Sequence, residues 1–128
     1  MTHNFRYVMN NLFDDQLPQS FQKLTKLKAF NILGNAFNKS IPGYIFEWDK
    51  LEILSLMGNN FEGHLPNKIL GLPRLTYLAI NNLPGGETDV LFPDIHNIVH
   101  LKSLTLRSCS LTGSIPDYIW RFTNLSYL

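Results

Sequence analysis

The chain has 128 residues, 45% of them hydrophobic and 16% charged, with a formal net charge of +1. That is enough apolar material for a continuous core, and basic residues are too few and too scattered along the sequence for a phosphate binder, so no nucleic-acid partner is expected. The one cysteine, Cys109, cannot close an internal disulfide and reads as a small buried hydrophobe, which leaves the redox compartment open.

The first residues, MTHNFRYVMNNLF, lack the apolar run and small-residue cleavage site of a signal peptide. No stretch reaches the roughly 18 apolar residues of a membrane helix, so the segment itself is not expected to contact a membrane. Residues 1–7 also fit poorly with the unit that governs the rest of the chain. His3 and Arg6 stand where later units place leucines, and the pattern becomes convincing only at Val8, Asn11 and Phe13.

From there one unit recurs. Leu27, Phe30 and Ile32 set an apolar spacing of 0, +3 and +5, and Leu51, Leu54 and Leu56 repeat it. Leu75, Leu78 and Ile80, then Leu101, Leu104 and Leu106, follow in the same register. The first-position leucines lie 24, 24, 26 and 24 residues apart, ending at Leu125. The +8 slot holds Asn11, Asn35, Asn59, Leu83 and Cys109, and Leu17-Pro18, Ile41-Pro42, Leu65-Pro66, Phe92-Pro93 and Ile115-Pro116 close each unit. The whole chain, 1–128, is therefore a single repeat segment with units 27–50, 51–74, 75–100 and 101–124, flanked by partial units 3–26 and 125–128 and lacking caps at both ends.

The physics of the unit predicts an α/β, β-rich solenoid. Alternation at the start of each unit makes a short strand with +3 and +5 buried and +2, +4 and +6 exposed, and stacking pairs the strands in parallel on a concave face. The proline suits a sheet margin. The following segment should form a short 3₁₀-like or irregular return on the convex face, with Phe21, Leu24, Ile45, Ile69 and Ile119 filling the core. The +8 asparagines should form a buried ladder, because an amide can satisfy the turning backbone of its own unit and the next. Asn11, Asn35 and Asn59 belong to it; Leu83 and Cys109 interrupt that bonding, with Cys109 in the ladder slot. Residues 81–91 add an irregular Pro84-Gly85-Gly86 loop, and the return PDIHNIVHL is one residue short.

LxxLxLxxNxLxGxIP resembles the plant-type leucine-rich repeat, which is found mainly in extracellular receptors. Two stretches narrow the resemblance. LPQSFQKLTKL and FPDIHNIVHLKSLTLRSCSLTGSIPDYI are similar to segments of plant receptor-like kinases whose repeats precede a malectin-like domain. The resemblance implies a fragment of the ectodomain of a single-pass receptor serine/threonine kinase, on the extracellular side of the plasma membrane. The kinase itself is not in this chain: there is no glycine-rich phosphate loop, VAIK-like lysine, HRD or DFG. Lys39 replaces the +12 glycine, a local departure.

Catalytic and metal chemistry find little support. His96 and His100 are four apart but enclose NIV, without the glutamate of HExxH, and read as a solvated convex turn. Asp14-Asp15 is an acidic pair with no partner base. No catalytic residue, metal site or cofactor is expected. Binding is the better reading, because exposed strand positions align in columns: Met9, Leu33, Met57, Asn81 and Arg107 at +6, Asn31, Ser55 and Thr105 among those at +4, and Ile53 and Tyr77 among those at +2. The apolar stripe they form would contact a peptide or protein ligand, or a partner receptor ectodomain. The alternative is a stand-alone secreted co-receptor or inhibitor. Asn38-Lys39-Ser40 and Asn124-Leu125-Ser126 are N-glycosylation sequons, with Asn38 the better placed of the two.

Overall fold

A computed structural model describes residues 4–66, 72–84 and 90–128. Its strands are β1 (Phe5–Tyr7), β2 (Asp14–Asp15), β3 (Ala29–Asn31), β4 (Ala36–Phe37), β5 (Ile53–Ser55), β6 (Tyr77–Asn81), β7 (Val90–Leu91), β8 (Ser103–Arg107) and β9 (Leu111–Thr112). Five of them form one sheet in the order β1-β3-β5-β6-β8, every pairing parallel. Parallel neighbours need a crossover connection, and here each unit's return provides it.

The register aligns equivalent positions across units. Phe5, Ala29, Ile53, Tyr77 and Ser103 are successive partners, as are Tyr7, Asn31, Ser55, Ala79 and Thr105. The alternate positions point inward. Phe30, Leu54, Leu78 and Leu104 are buried, as are Ile32, Leu56 and Ile80, while Leu106 is only half-buried. Contrary to the poor fit of residues 1–7, β1 pairs fully with β3; Arg6 takes the inward register position but stays exposed. Backbone hydrogen bonding, not side-chain burial, holds this first strand.

Returns behave as expected at three places. Gln19–Lys23, Gly43–Glu47 and Asp117–Arg121 are 3₁₀ turns, each preceded by a proline (Pro18, Pro42, Pro116) with φ between −59° and −66°. Proline's ring fixes that angle, so the turn starts pre-set. Ile45 and Ile119 are buried, and Phe21 and Leu24 pack at the edge of the core. Ile69 lies outside the described residues. The short return PDIHNIVHL forms turns without a 3₁₀ segment. Aromatic edges lock the first units together: Phe21 meets Phe30 at 6.2 Å and Phe30 meets Trp48 at 5.3 Å, both T-shaped.

A second layer was not foreseen from sequence. After the +8 slot, β2 pairs with β4 and β7 with β9, again in parallel, and Ser40 bridges to Glu62. Two columns of left-handed residues make the corners. At +7 stand Asn10, Gly34, Gly58, Asn82 and Ser108, with φ from 52° to 71°. At +12 stand Asp15, Lys39, Gly63 and Gly113, with φ from 62° to 83°. Lys39 thus adopts the glycine conformation without being glycine.

Candidate binding face

The +8 ladder connects this frame to the strand ends. The Asn59 amide donates to the carbonyls of Ile32 (3.0 Å), Leu56 (3.2 Å) and Met57 (3.2 Å), and its oxygen accepts from the Phe37 N–H at 3.1 Å. Asn35 repeats the arrangement one unit earlier, donating to Val8 (2.6 Å) and Ile32 (3.0 Å) and accepting from Phe13 (3.3 Å). Two expectations need correction. Asn11 is exposed, and among the described residues its amide donates to its own unit, to the Met9 carbonyl at 2.9 Å, instead of bridging two units as Asn35 and Asn59 do. Cys109 does bond in the slot: its thiol reaches the carbonyls of Ile80 (3.7 Å) and Arg107 (3.5 Å), a weak version of the asparagine pattern. Burial pushes the Cys109 thiol pKa up, which favours the protonated donor form.

The open face of the five-stranded sheet carries the predicted columns, but their exposure is uneven. Ser55 is only 3% exposed and Ala79 is fully buried, so neither offers a contact surface. Ser55 and Ala79 are each other's register partners, between Asn31 and Thr105, and strands this close leave such short side chains little access to solvent. Asn31, Leu33, Ile53, Met57, Asn81 and Thr105 are half-buried, whereas Met9, Tyr77 and Arg107 are exposed. The oxygens of Asn31 and Asn81 are already engaged, accepting from the backbone N–H groups of Leu33 (3.1 Å) and Gly58 (2.8 Å).

The first strand adds two residues to this face, at the head of the +2 and +4 columns. Phe5 and Tyr7 are each 51% exposed and stack at 6.3 Å with planes 8° apart. Their +2 and +4 spacing is the sequence signal that places them there. The apolar content of the face therefore runs from Phe5 and Tyr7 through Met9, Leu33 and Met57 to Ile53 and Tyr77.

Other candidates fall elsewhere. His96 is on the exposed turn after β7, its ring 2.5 Å from Asp94, and this hydrogen bond holds the Asp94 carboxyl below its ordinary pKa. His100 lies one turn further, beside Leu101, and among the described residues no cluster of His, Cys, Asp or Glu could hold a metal ion. Asn124 is exposed, while Asn38 is half-buried with its side-chain oxygen enclosed and without a hydrogen-bond partner, which reverses their expected ranking as sequons.

Comparison with known proteins agrees with this geometry. The Leucine Rich Repeat family matches residues 50–72 and 100–122. A probable LRR receptor-like serine/threonine-protein kinase of Arabidopsis thaliana is 41% identical over 54 residues, 42% of this chain and 5% of that protein. The chain is a run of leucine-rich repeats homologous to those of plant receptor-like kinase ectodomains. The plant peptide hormone receptor RGFR1, solved in complex with RGF2, superposes with a TM-score of 0.83 at 27% identity, covering 96% of this chain and 19% of that one. The Arabidopsis receptor kinase HAESA, solved with the peptide hormone IDA and the co-receptor SERK1, gives a TM-score of 0.85 at 23% identity over 97% and 20% of the two chains. A plant ice-binding protein shares the fold as well, with a TM-score of 0.77 at 24% identity over 94% and 42%. The chain thus spans about a twentieth of the curated relative and about a fifth of the two receptors. Among its described residues no helix is long and apolar enough to cross a membrane.

Proposed function

We propose that this chain is a non-catalytic recognition segment of a plant cell-surface receptor-like kinase ectodomain, and that its open sheet face binds a peptide or a partner ectodomain. One observation carries the reading: side chains a repeat apart in sequence stand in register across five parallel strands, leaving half-exposed apolar groups that end at Arg107. An extended peptide can place alternate side chains over such a surface. RGFR1 and HAESA were solved with peptide hormones bound, and their repeats superpose on this chain. The ice-binding relative shows that the fold alone does not choose the ligand.

The finer reading is a parent of the subfamily with a malectin-like domain after the repeats. Its support is the stretch FPDIHNIVHLKSLTLRSCSLTGSIPDYI, whose irregular return and Cys109 in the ladder slot fit that subfamily's pattern. A membrane anchor and kinase encoded downstream would put this segment outside the cell. A stand-alone secreted co-receptor or inhibitor is the competing assignment.

The test is a binding screen of the purified chain against synthetic secreted plant peptides and receptor ectodomains, followed by a Met57→Asp/Tyr77→Asp double variant. Both residues lie on the open face, so the variant should keep its far-ultraviolet circular dichroism and lose the partner. Retained binding by the folded variant refutes the face assignment.

A further inference from the structure

The sequence spreads its basic residues thinly, but the solenoid gathers them. Lys26, Lys50, Arg74 and His100 each immediately precede the first leucine of a unit, about one per 24 residues. All four are exposed on the turns leading into β3, β5, β6 and β8. Lys28 and Lys102 follow on the first rung of the same edge, where the backbone ladder runs Glu52 N–H to Lys28 carbonyl, Thr76 N–H to Glu52 carbonyl and Lys102 N–H to Thr76 carbonyl. Neighbouring strands lie about 4.8 Å apart, so residues remote in sequence become a continuous line of positive charge along one edge of the sheet.

Two acids moderate this line. Asp49 pairs with Lys50 at 3.1 Å and Glu52 with Lys28 at 3.4 Å. Lys26, Arg74 and Lys102 have no carboxylate partner among the described residues. Arg74, His100 and Lys102 line one shallow cleft of about 380 Å³ together with Glu52, Thr76 and Asn124. Past the far ends of the strands stand Asp14, Asp15 and Glu62, with Lys39 and Arg107 as cations on that side.

We infer that this basic edge, centred on the Arg74–His100–Lys102 cleft, is a docking surface for an acidic segment of a partner polypeptide. The chemistry favours that occupant over other polyanions. His100 carries the one ring among the lining residues, with no Phe, Tyr or Trp beside it, so the cleft is a poor platform for stacking successive nucleic-acid bases. Three unpaired cations are also few for a phosphate polymer, whose affinity scales with the number of phosphates neutralised. They do suit a short run of carboxylates. Three strand spacings, from Lys26 to Lys102, amount to roughly 14 Å, which an extended peptide covers in about four or five residues. Arg74 adds a planar fork matched to a carboxylate. This surface is separate from the open sheet face, and the inference does not depend on what that face binds.

The experiment uses the 128-residue chain made in bacteria, which leaves Asn124 unmodified, and follows the anisotropy of a fluorescent peptide with five consecutive glutamates. The glutamine version of the peptide is the control. Binding should appear at low salt, weaken as salt rises, and fall at least tenfold in Arg74→Glu/Lys102→Glu. Lys39→Glu, on the other edge, should stay within about twofold of the parent. Because both reversed residues are exposed, circular dichroism should be unchanged, and a five-lysine peptide should bind the reversed variant in place of the glutamate one. Equal binding of the glutamine peptide, equal loss in Lys39→Glu, or failure of the charge swap in a folded variant overturns the assignment. So does tighter binding of single-stranded DNA or of a polyuronate than of the glutamate peptide.

Discussion

The Tyr118 hydroxyl donates to the carbonyl of Pro93 at 2.7 Å, tying the convex side of one repeat to the proline of the repeat before it. Tyr44 does the same with Pro18 at 2.9 Å. Each tyrosine stands two residues after its own unit's proline, so the contact is a property of the repeat. Tyr118 also accepts from the Ile95 N–H at 3.2 Å. In a solenoid, stability depends on such interfaces between neighbours. Tyr44→Phe should cost about 1 kcal/mol, and Tyr118→Phe about 1–3 kcal/mol, because it leaves both a carbonyl and an N–H unpaired. Urea titration of both variants checks the order.

The same phenols make stability fall at alkaline pH. Burial raises the pKa of both Tyr44 and Tyr118, so the folded state favours the neutral phenol. Their contribution is fully present below the unfolded value of about 10 and is lost as pH rises through the higher folded value. The Cys109 thiol is raised for the same reason and adds a loss that begins nearer its own ordinary value. Alkaline unfolding, followed by phenolate absorbance in a Cys109→Ala background, should lose its steepest part when Tyr44 and Tyr118 are both phenylalanine. An unchanged profile would show that these phenols ionise without opening the fold.

The ladder supplies a prediction with opposite signs at two positions. Asn59 holds three carbonyls and one buried N–H, so Asn59→Leu should cost about 2–4 kcal/mol despite its similar size. Cys109 reaches the equivalent carbonyls only through a thiol at 3.5 and 3.7 Å. Cys109→Asn should therefore stabilise the last full unit by about 1 kcal/mol. Chemical denaturation of the two variants separates a ladder from simple packing, which would make both changes unfavourable.

How far these features could be read from sequence depends on whether a residue acts within its unit or between units. Leu54, Leu78 and Leu104 declare their burial through spacing alone, and Pro18, Pro42 and Pro116 announce the turns that follow them. The exposure of +4 residues is not local. Ser55 is buried because of what stands in register on either side of it. The edge formed by Lys26, Arg74 and Lys102 is likewise invisible to a search for consecutive basic residues, since the stacking creates it. Phe5 and Tyr7 fall in the outward columns by spacing alone, and the poor fit of His3 and Arg6 to the inward positions says nothing about these outward ones.

The +7 and +12 corners allow a sharp test of backbone strain. Lys39 holds φ at 62°, in a column where Gly63 and Gly113 hold 83° and 78°. A side chain in that region costs about 1–2 kcal/mol, while glycine adds entropy to the unfolded chain. Lys39→Gly should therefore stabilise the protein by a net 0.5–1 kcal/mol, to order of magnitude. Gly58→Ala should do the opposite. Its φ is 66°, and an added Cβ would lie 3.1 Å from the Gly34 nitrogen and 3.2 Å from the Gly34 Cα, backbone atoms that cannot step aside. The loss should exceed about 2 kcal/mol, combining strain with displacement of the neighbouring repeat. Gly113→Ala lies between them, since its nearest contact is the Leu91 Cδ2 methyl at 3.2 Å, which can rotate away. Denaturation midpoints ranked Lys39→Gly, parent, Gly113→Ala, Gly58→Ala would establish that left-handed corners, and not the convex returns, set the tolerance of this solenoid to substitution. A stabilised Gly58→Ala would instead mean that adjacent repeats shift freely past one another at the +7 corner.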